Sequence, residues 1–155
     1  MNDYVIRPAV LDDTDILVHH RIAMFTDMGT PFDASMVERT FREWVRGRLA
    51  SGEYLAWVCE TASGEIVAGA GITLLIWPPG PRDIAGDRVA FVYNVYTEPG
   101  HRKRGLARRL IETIHIWCEE HGIGALALNA ASAAAHLYKS LGYSDAPRPM
   151  MWKIL

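Results

Sequence analysis

Apolar residues recur along this chain at two spacings, and the change from one to the other marks its elements. Tyr4-Val5-Ile6-Arg7-Pro8-Ala9 reads as a first strand that ends near its proline. Asp12, Asp13 and Thr14 then offer N-caps to a helix reaching about Phe25, with Val18, Ile22 and Phe25 on one stripe, and Gly29-Thr30-Pro31 breaks it. Asp33 or Ser35 can cap a second helix to about Leu49, with Val37, Phe41, Trp44 and Val45 inward and Arg39, Arg42, Arg46 and Arg48 as a solvated face. Tyr54 to Glu60 and Ile66 to Trp77 are rich in β-branched and aromatic residues and flank the turn signal Ser63-Gly64, which predicts a hairpin. Pro78, Pro79, Gly80, Pro81 and Gly86 mark an irregular loop, long enough to suspect a lid or a binding loop.

Val89 to Thr97 is the next strand. From Leu106, the residues Leu110, Ile114, Trp117 or Cys118, and His121 return at helical spacing, and Gly122 stands at the stop position. Ala125 to Leu128 is a short apolar strand, and Ser132 can cap a last helix through Leu141 that stops at Gly142. Strand, helix and strand in this order make a βαβ unit, so the Val89 and Ala125 strands must be parallel with a right-handed crossover. Met150 to Leu155 reads as a final strand.

Composition narrows the picture. A chain of 155 residues, half of them hydrophobic, predicts one domain with one buried core. The 16 basic and 18 acidic residues leave a net charge of −2, so nothing global points to nucleic acid or an anionic membrane. The N-terminus lacks a cationic-then-apolar leader, and the run from Ile66 to Trp77 is too short to span a bilayer, so a cytoplasmic protein is expected. Cys59 and Cys118 are far apart and sit in apolar runs, as reduced core thiols do. Neither the adjacent His19 and His20 nor the pair His115 and His121 has metal-ligand spacing, and no metal is expected.

One stretch carries chemistry. From Tyr93 to Arg109 a strand ends at Pro99-Gly100, a cationic loop follows, and a small-residue opening leads into the long helix. Helix starts leave backbone N–H groups unpaired and carry about half a positive charge, so they attract phosphate. Arg102, Lys103, Arg104 and Arg108 add charge there, and Gly105 lets a ligand approach the backbone. A Walker-type loop is excluded, because no Gly-Lys-Ser/Thr follows.

Three pieces in order resemble the GCN5-related N-acetyltransferases. Ile6-Arg7-Pro8-Ala9 followed by Asp13 is similar to the family's opening; Arg102-Lys103-Arg104-Gly105-Leu106-Ala107, preceded by Pro99, resembles its loop; and Leu137-Tyr138-Lys139-Ser140-Leu141-Gly142-Tyr143 resembles its downstream signature. The resemblance implies an α/β fold: a mixed, mostly antiparallel sheet of six to seven strands with about four helices on its two faces, splayed between the two parallel strands. It implies acetyl-CoA as acyl donor, an amine as acceptor and, often, a homodimer. It assigns the backbone of Val95, Tyr96 and Thr97 to the pantetheine arm and the N–H groups from Lys103 through Leu106 and Ala107 to Arg108 to the pyrophosphate. Tyr138 becomes the acid that protonates the leaving thiolate, and the first two helices, the Trp77 to Gly86 loop and the last strands become the walls of the acceptor pocket.

The chain departs from the family pattern in two ways. Where relatives carry a glutamate base, Leu126 and a position near Val89 stand here, while Glu98 lies in the turn, where it is expected to face solvent or cap the loop. Asn94, Tyr96 or Asn129 is therefore expected to order a water that relays the proton. The missing carboxylate also motivates the alternative of a non-catalytic acyl-CoA-binding module. The asparagine usual seven residues before the signature tyrosine is Ala131, leaving Asn129 and Ser132 as substitute cofactor contacts.

Overall fold

The computed structural model describes residues 3–81, 86–146 and 148–155. In chain order the elements are β1 (Tyr4–Pro8), α1 (Thr14–Met28), α2 (Ala34–Ser51), β2 (Tyr54–Thr61), β3 (Ile66–Ile76), β4 (Arg88–Thr97), α3 (Leu106–Glu120), β5 (Ala125–Leu128) and α4 (Ala135–Ser140). The strands lie side by side in sequence order; β1 to β4 are antiparallel, and β5 joins β4 in parallel. The parallel pair is the one the βαβ reading requires.

Alternation along the strands divides the core in two. On one face Tyr54, Ala56 and Val58 meet Leu17, Val18, Phe41 and Val45 of α1 and α2. On the other, Trp57, Cys59, Ala68, Ala70, Ile72, Ala90 and Val92 meet α3 and Tyr138 of α4. Helix α3 buries Leu106, Leu110, Ile111, Ile114 and Cys118 on one stripe, and each large aliphatic there contributes about 1.5–3 kcal/mol of burial. Both cysteines are buried and free.

The family-like opening has a physical reason. Arg7 donates to both carboxylate oxygens of Asp13, at 2.7 and 2.9 Å, and its Nε donates to Glu60 at 2.7 Å. This fork fixes the chain where β1 turns into α1, and the guanidinium holds the Asp13 carboxyl below its usual range.

Two expectations are corrected. The sheet has five strands rather than six to seven, because Met150 to Leu155 pairs with no described strand. Its side chains stay outside, with Met151 93%, Trp152 78% and Ile154 86% exposed. An apolar run records what a segment would gain by burial; strand formation also needs backbone pairing, which composition does not record. The last helix is not capped by Ser132, which instead opens a 3-10 turn (Ser132–Ala134) ahead of α4. Within the proline-rich loop, residues 82–85 lie outside the described residues.

The sheet is interrupted at one point. In β3 and β4 the register runs Gly71 opposite Tyr93 and then Gly69 opposite Tyr96, so Asn94 and Val95 together face Ala70. Asn94 takes a left-handed φ of 56° to make this β-bulge. The extra residue resets the alternation: Tyr93 and Asn94 both turn toward the α1 and α2 face, and Val95 packs with the α3 cluster. Pairing with β5 stops at Val92 and Leu128, just before the bulge.

Two close approaches hold this region. A Cβ on Gly71 would overlap the Tyr54 hydroxyl and ring, so only glycine leaves room for that fully buried phenol. His20 of α1 is 1% exposed, packs its ring on Tyr96 at 5.1 Å, and has no hydrogen-bond partner on either ring nitrogen among the described residues. The nearest carboxylate oxygen, of Glu98, is 3.6 Å from its Nε2.

Burial pushes the His20 pKa down to about 4 from 6.5. Between those values the unfolded chain binds a proton that the folded one refuses, so stability falls as the pH drops through this window. The expected loss attributable to His20 is about 2 kcal/mol between pH 7 and pH 5. Denaturant titrations at the two pH values should reveal it, and His20→Gln should flatten the dependence; an equal slope in the variant would exclude His20 as its source.

Candidate active site

Past the bulge, β4 continues alone. Residues Tyr93 to Thr97 pair with β3 on one side, and no strand covers their other edge. Backbone donors and acceptors that a sheet would satisfy are therefore presented to a cleft. The strand then leads through a 3-10 turn (Pro99–His101) into the start of α3. Lys103 and Gly105 both adopt left-handed φ, 60° and 76°, and this double reversal folds the loop over the helix end. Gly105 is the N-cap, and no side chain caps the helix from that position. The first intrahelical acceptor is Gly105 O, bonded by Arg109 N at 3.1 Å, so the amides ahead of Arg109 are left for another partner.

Two adjoining clefts follow this path. A cleft of about 370 Å³ is lined by Val95, Tyr96 and Thr97, by the loop from His101 to Lys103, by Gly105 to Arg108, and by Ala134, Leu137 and Tyr138. A larger one of about 840 Å³ shares Val95 to Thr97 and Tyr138 and extends to Arg21, Tyr93, Asn129, Ser132 and the C-terminal half of α1. The sequence-predicted residues Val95, Tyr96, Thr97, Arg102, Lys103, Gly105, Leu106, Ala107, Arg108 and Tyr138 thus come together around one channel.

Tyr138 stands where the clefts meet. It is 7% exposed, and burial raises its phenol pKa, which keeps the proton on oxygen at neutral pH. Tyr143 meets its ring edge-on at 5.7 Å and is held by a 2.8 Å bond to His115 Nε2. Gly142, at φ 95°, turns the chain so that Tyr143 N can donate to Tyr138 O at 3.0 Å. That is the packing reason for the glycine and aromatic residue that close the signature.

The cationic loop is less free than its sequence implies. Arg102 donates to Thr97 O at 2.9 Å, pairs with Asp27 of α1, and lies over the Tyr96 ring at 5.6 Å. Arg108 donates to Ser140 at 2.5 Å. Arg104 reaches only Gly100 O, at 3.5 Å, and does not line the narrower cleft. Arg102 and Arg108 therefore act as braces as much as mobile charges.

The residues expected to order a water fare differently. Asn94 has both ends of its amide occupied: Oδ1 accepts from Arg21 Nη1 at 2.5 Å, and Nδ2 donates to the Tyr54 hydroxyl at 2.8 Å. It is a structural link. The Tyr96 hydroxyl lies 3.5 Å from Glu98 Oε2 at the turn. Asn129 is exposed and lines the larger cleft, as does Ser132. Glu98 does not face solvent: its Oε1 accepts from His19 Nε2 at 2.6 Å, and its side chain is mostly covered.

The resemblance assigns the first two helices to the pocket wall without naming a residue of α1. Arg21, Met24, Phe25, Asp27 and Met28 all line the larger cleft. A signal for Arg21 was present, since it falls three residues after Val18 and four before Phe25, on the apolar stripe where a charge is out of place. No described helix is long and apolar enough to cross a membrane. Among the described residues, no group of three or more His, Cys, Asp or Glu side chains is placed to hold a metal.

The profile of the Acetyltransferase (GNAT) family matches residues 18–143. The chain is 26% identical, over 92% of both chains, to the aminoglycoside N(6')-acetyltransferase type 1 of Serratia marcescens. A GCN5-related N-acetyltransferase structure from Ralstonia eutropha JMP134 is similar at 33% identity and a TM-score of 0.87, covering 97% of this chain and 98% of that one. A protein of Clostridium acetobutylicum, described as a predicted acetyltransferase and solved with acetyl-CoA, is similar at 24% identity and a TM-score of 0.83, covering 97% of this chain and 96% of the other.

Proposed function

The chain belongs to the acetyltransferase (GNAT) family, and from that premise we propose that it transfers an acetyl group from acetyl-CoA to a primary amine of a small molecule or peptide, by direct attack in a ternary complex. The observation that carries this reading is the continuity of one channel: an unpaired β4 edge, an uncapped helix start, and a buried tyrosine between two clefts. The channel suits the donor. Backbone groups of Val95 to Thr97 would pair with the pantetheine amides, and the N–H groups from Lys103 to Arg108 would hold the pyrophosphate. Asn129 and Ser132, on the cleft wall, would offer the donor the polar groups that the Ala131 side chain does not have.

Bound acetyl-CoA supplies an activated thioester. The residues must then solve two proton problems. An alkyl ammonium with pKa near 10.4 costs about 4–5 kcal/mol to deprotonate at pH 7. Among the described lining residues the larger cleft has a single carboxylate, Asp27, and it is engaged by Arg102. Water reached past Asn129 takes the proton in this reading, and the half-buried, aromatic surroundings lower the cost by disfavouring the ammonium form. As the acceptor nitrogen bonds to the acetyl carbon it loses a second proton to water, and as the bond to sulfur breaks Tyr138 gives its proton to the departing thiolate and is reprotonated from solvent.

Thiol release from acetyl-CoA, followed with a panel of primary amines, tests the reading. Amine-dependent release with N-acetylated product supports it; release with no member of the panel would overturn it.

A further inference from the structure

Beside the channel lies a third cleft, of about 510 Å³, between α1, α2 and β4. It shares Arg21, Phe25, Tyr93 and Asn94 with the larger cleft, so these side chains border both. Its further wall is aromatic, with Phe41 and Trp44 of α2 stacked at 5.7 Å. The Arg21 guanidinium lies 4.8 Å from the centre of the Phe25 ring and 4.9 Å from that of Phe41.

Arg21 is unusual in what it lacks. Among the described residues it forms no ion pair, and its hydrogen-bond acceptor is the neutral Asn94 amide oxygen. The ionisable groups beside it are the phenols of Tyr54 and Tyr93, which carry no charge at neutral pH, and burial lowers its pKa. A half-buried cation whose only acceptor among the described residues is neutral costs desolvation energy that the Phe25 and Phe41 rings return only in part. The surrounding parts nevertheless hold it in place: Gly71 makes room for Tyr54, Tyr54 fixes the Asn94 amide, and Asn94 aims one guanidinium nitrogen, which leaves the fork open to the cleft. A fork of this kind matches a carboxylate.

We propose that the acceptor is an α-amino acid with an aromatic or large apolar side chain, its carboxylate held by Arg21, its side chain in the α1, α2 and β4 cleft, and its amine directed toward Tyr138. This deepens the acetyltransfer reading and rests on it. Three groups that diverge from one carbon correspond to the three directions that meet at Arg21. The same geometry opposes a polycationic acceptor, because this cleft presents a cation and, among its lining residues, no acid.

The test compares L-phenylalanine, phenethylamine and the polycation kanamycin, by thiol release with acetyl-CoA and by calorimetric binding in the presence of CoA. A charge-assisted fork should give phenylalanine a kcat/KM about 10- to 100-fold above phenethylamine, with kanamycin poorest. Arg21→Gln should remove that advantage mainly through KM, and Arg21→Lys, which keeps the charge without the fork, should restore part of it. Equal use of phenylalanine and phenethylamine, or a preference for kanamycin, overturns the assignment and leaves acetyl transfer standing. Phenylalanine binding that depends on Arg21, without thiol release from any amine, upholds the pocket and overturns the transfer reading. Neither binding nor release overturns both.

Discussion

Replacing Tyr138 by phenylalanine should lower kcat by about 100-fold, at the low end of what a positioned general acid contributes, and leave acetyl-CoA affinity within about twofold. The variant keeps the ring that packs against Tyr143 and removes only the hydroxyl. That hydroxyl hydrogen-bonds to no other described group, so its loss strands no buried partner and should hardly change stability. The loss should shrink with a donor whose thiol has a lower pKa, since a better leaving group needs less help from a proton. Steady-state kinetics and calorimetry decide it. An unchanged kcat would remove Tyr138 from the chemistry.

The second large effect is at the start of α3. Gly105→Glu should weaken acetyl-CoA binding by at least about 100-fold, as two costs add. A non-glycine residue in the left-handed region costs about 1–2 kcal/mol of backbone strain. The carboxylate would also sit at the positive end of the helix, where the donor's phosphates are proposed to lie. A Cβ at this position meets no protein atom within 4 Å, so the side chain enters the cleft and the fold is not overpacked. Gly105→Ala carries the strain without the charge and should cost roughly tenfold or less. Calorimetry showing native affinity in the glutamate variant would separate Gly105 from the phosphate site.

The donor side of the site is legible in the sequence because it is written in local signals. A loop of basic and small residues before a helix announces unpaired amides whatever lies around it, and Leu137 to Tyr143 carries its turn glycine and packing aromatic within one short segment. The proposed acceptor side is written in contacts between distant residues. Arg21, Tyr54, Gly71 and Asn94 form one chain of contacts across 73 positions of sequence, and no periodicity links them. The Asn94 amide is chemically suited to holding a water, which is all that sequence can weigh; the two partners that occupy it come from α1 and β2. Glu98 follows a strand and precedes Pro99, a position that suggests solvent, while His19 lies one helix away in space. The final strand is a further difference: Met150 to Leu155 has strand composition but pairs with no described strand, although β1 and β5 leave outer edges in the sheet.

The bulge at Asn94 and Val95 has a consequence for how this enzyme can change. The gap beside β4 depends on the number of residues between Gly71's partner and Gly69's partner, and a point substitution leaves that number as it is. Only a deletion would restore the regular ladder. The cleft proposed for the acceptor, by contrast, depends on which side chains stand at Arg21, Phe25, Phe41, Trp44 and Tyr93, all of them open to single replacements. The gap that the acyl donor is proposed to enter is therefore buffered against point substitution in a way that the proposed acceptor cleft is not, so descendants of this chain can change the amine they take one substitution at a time while that gap persists.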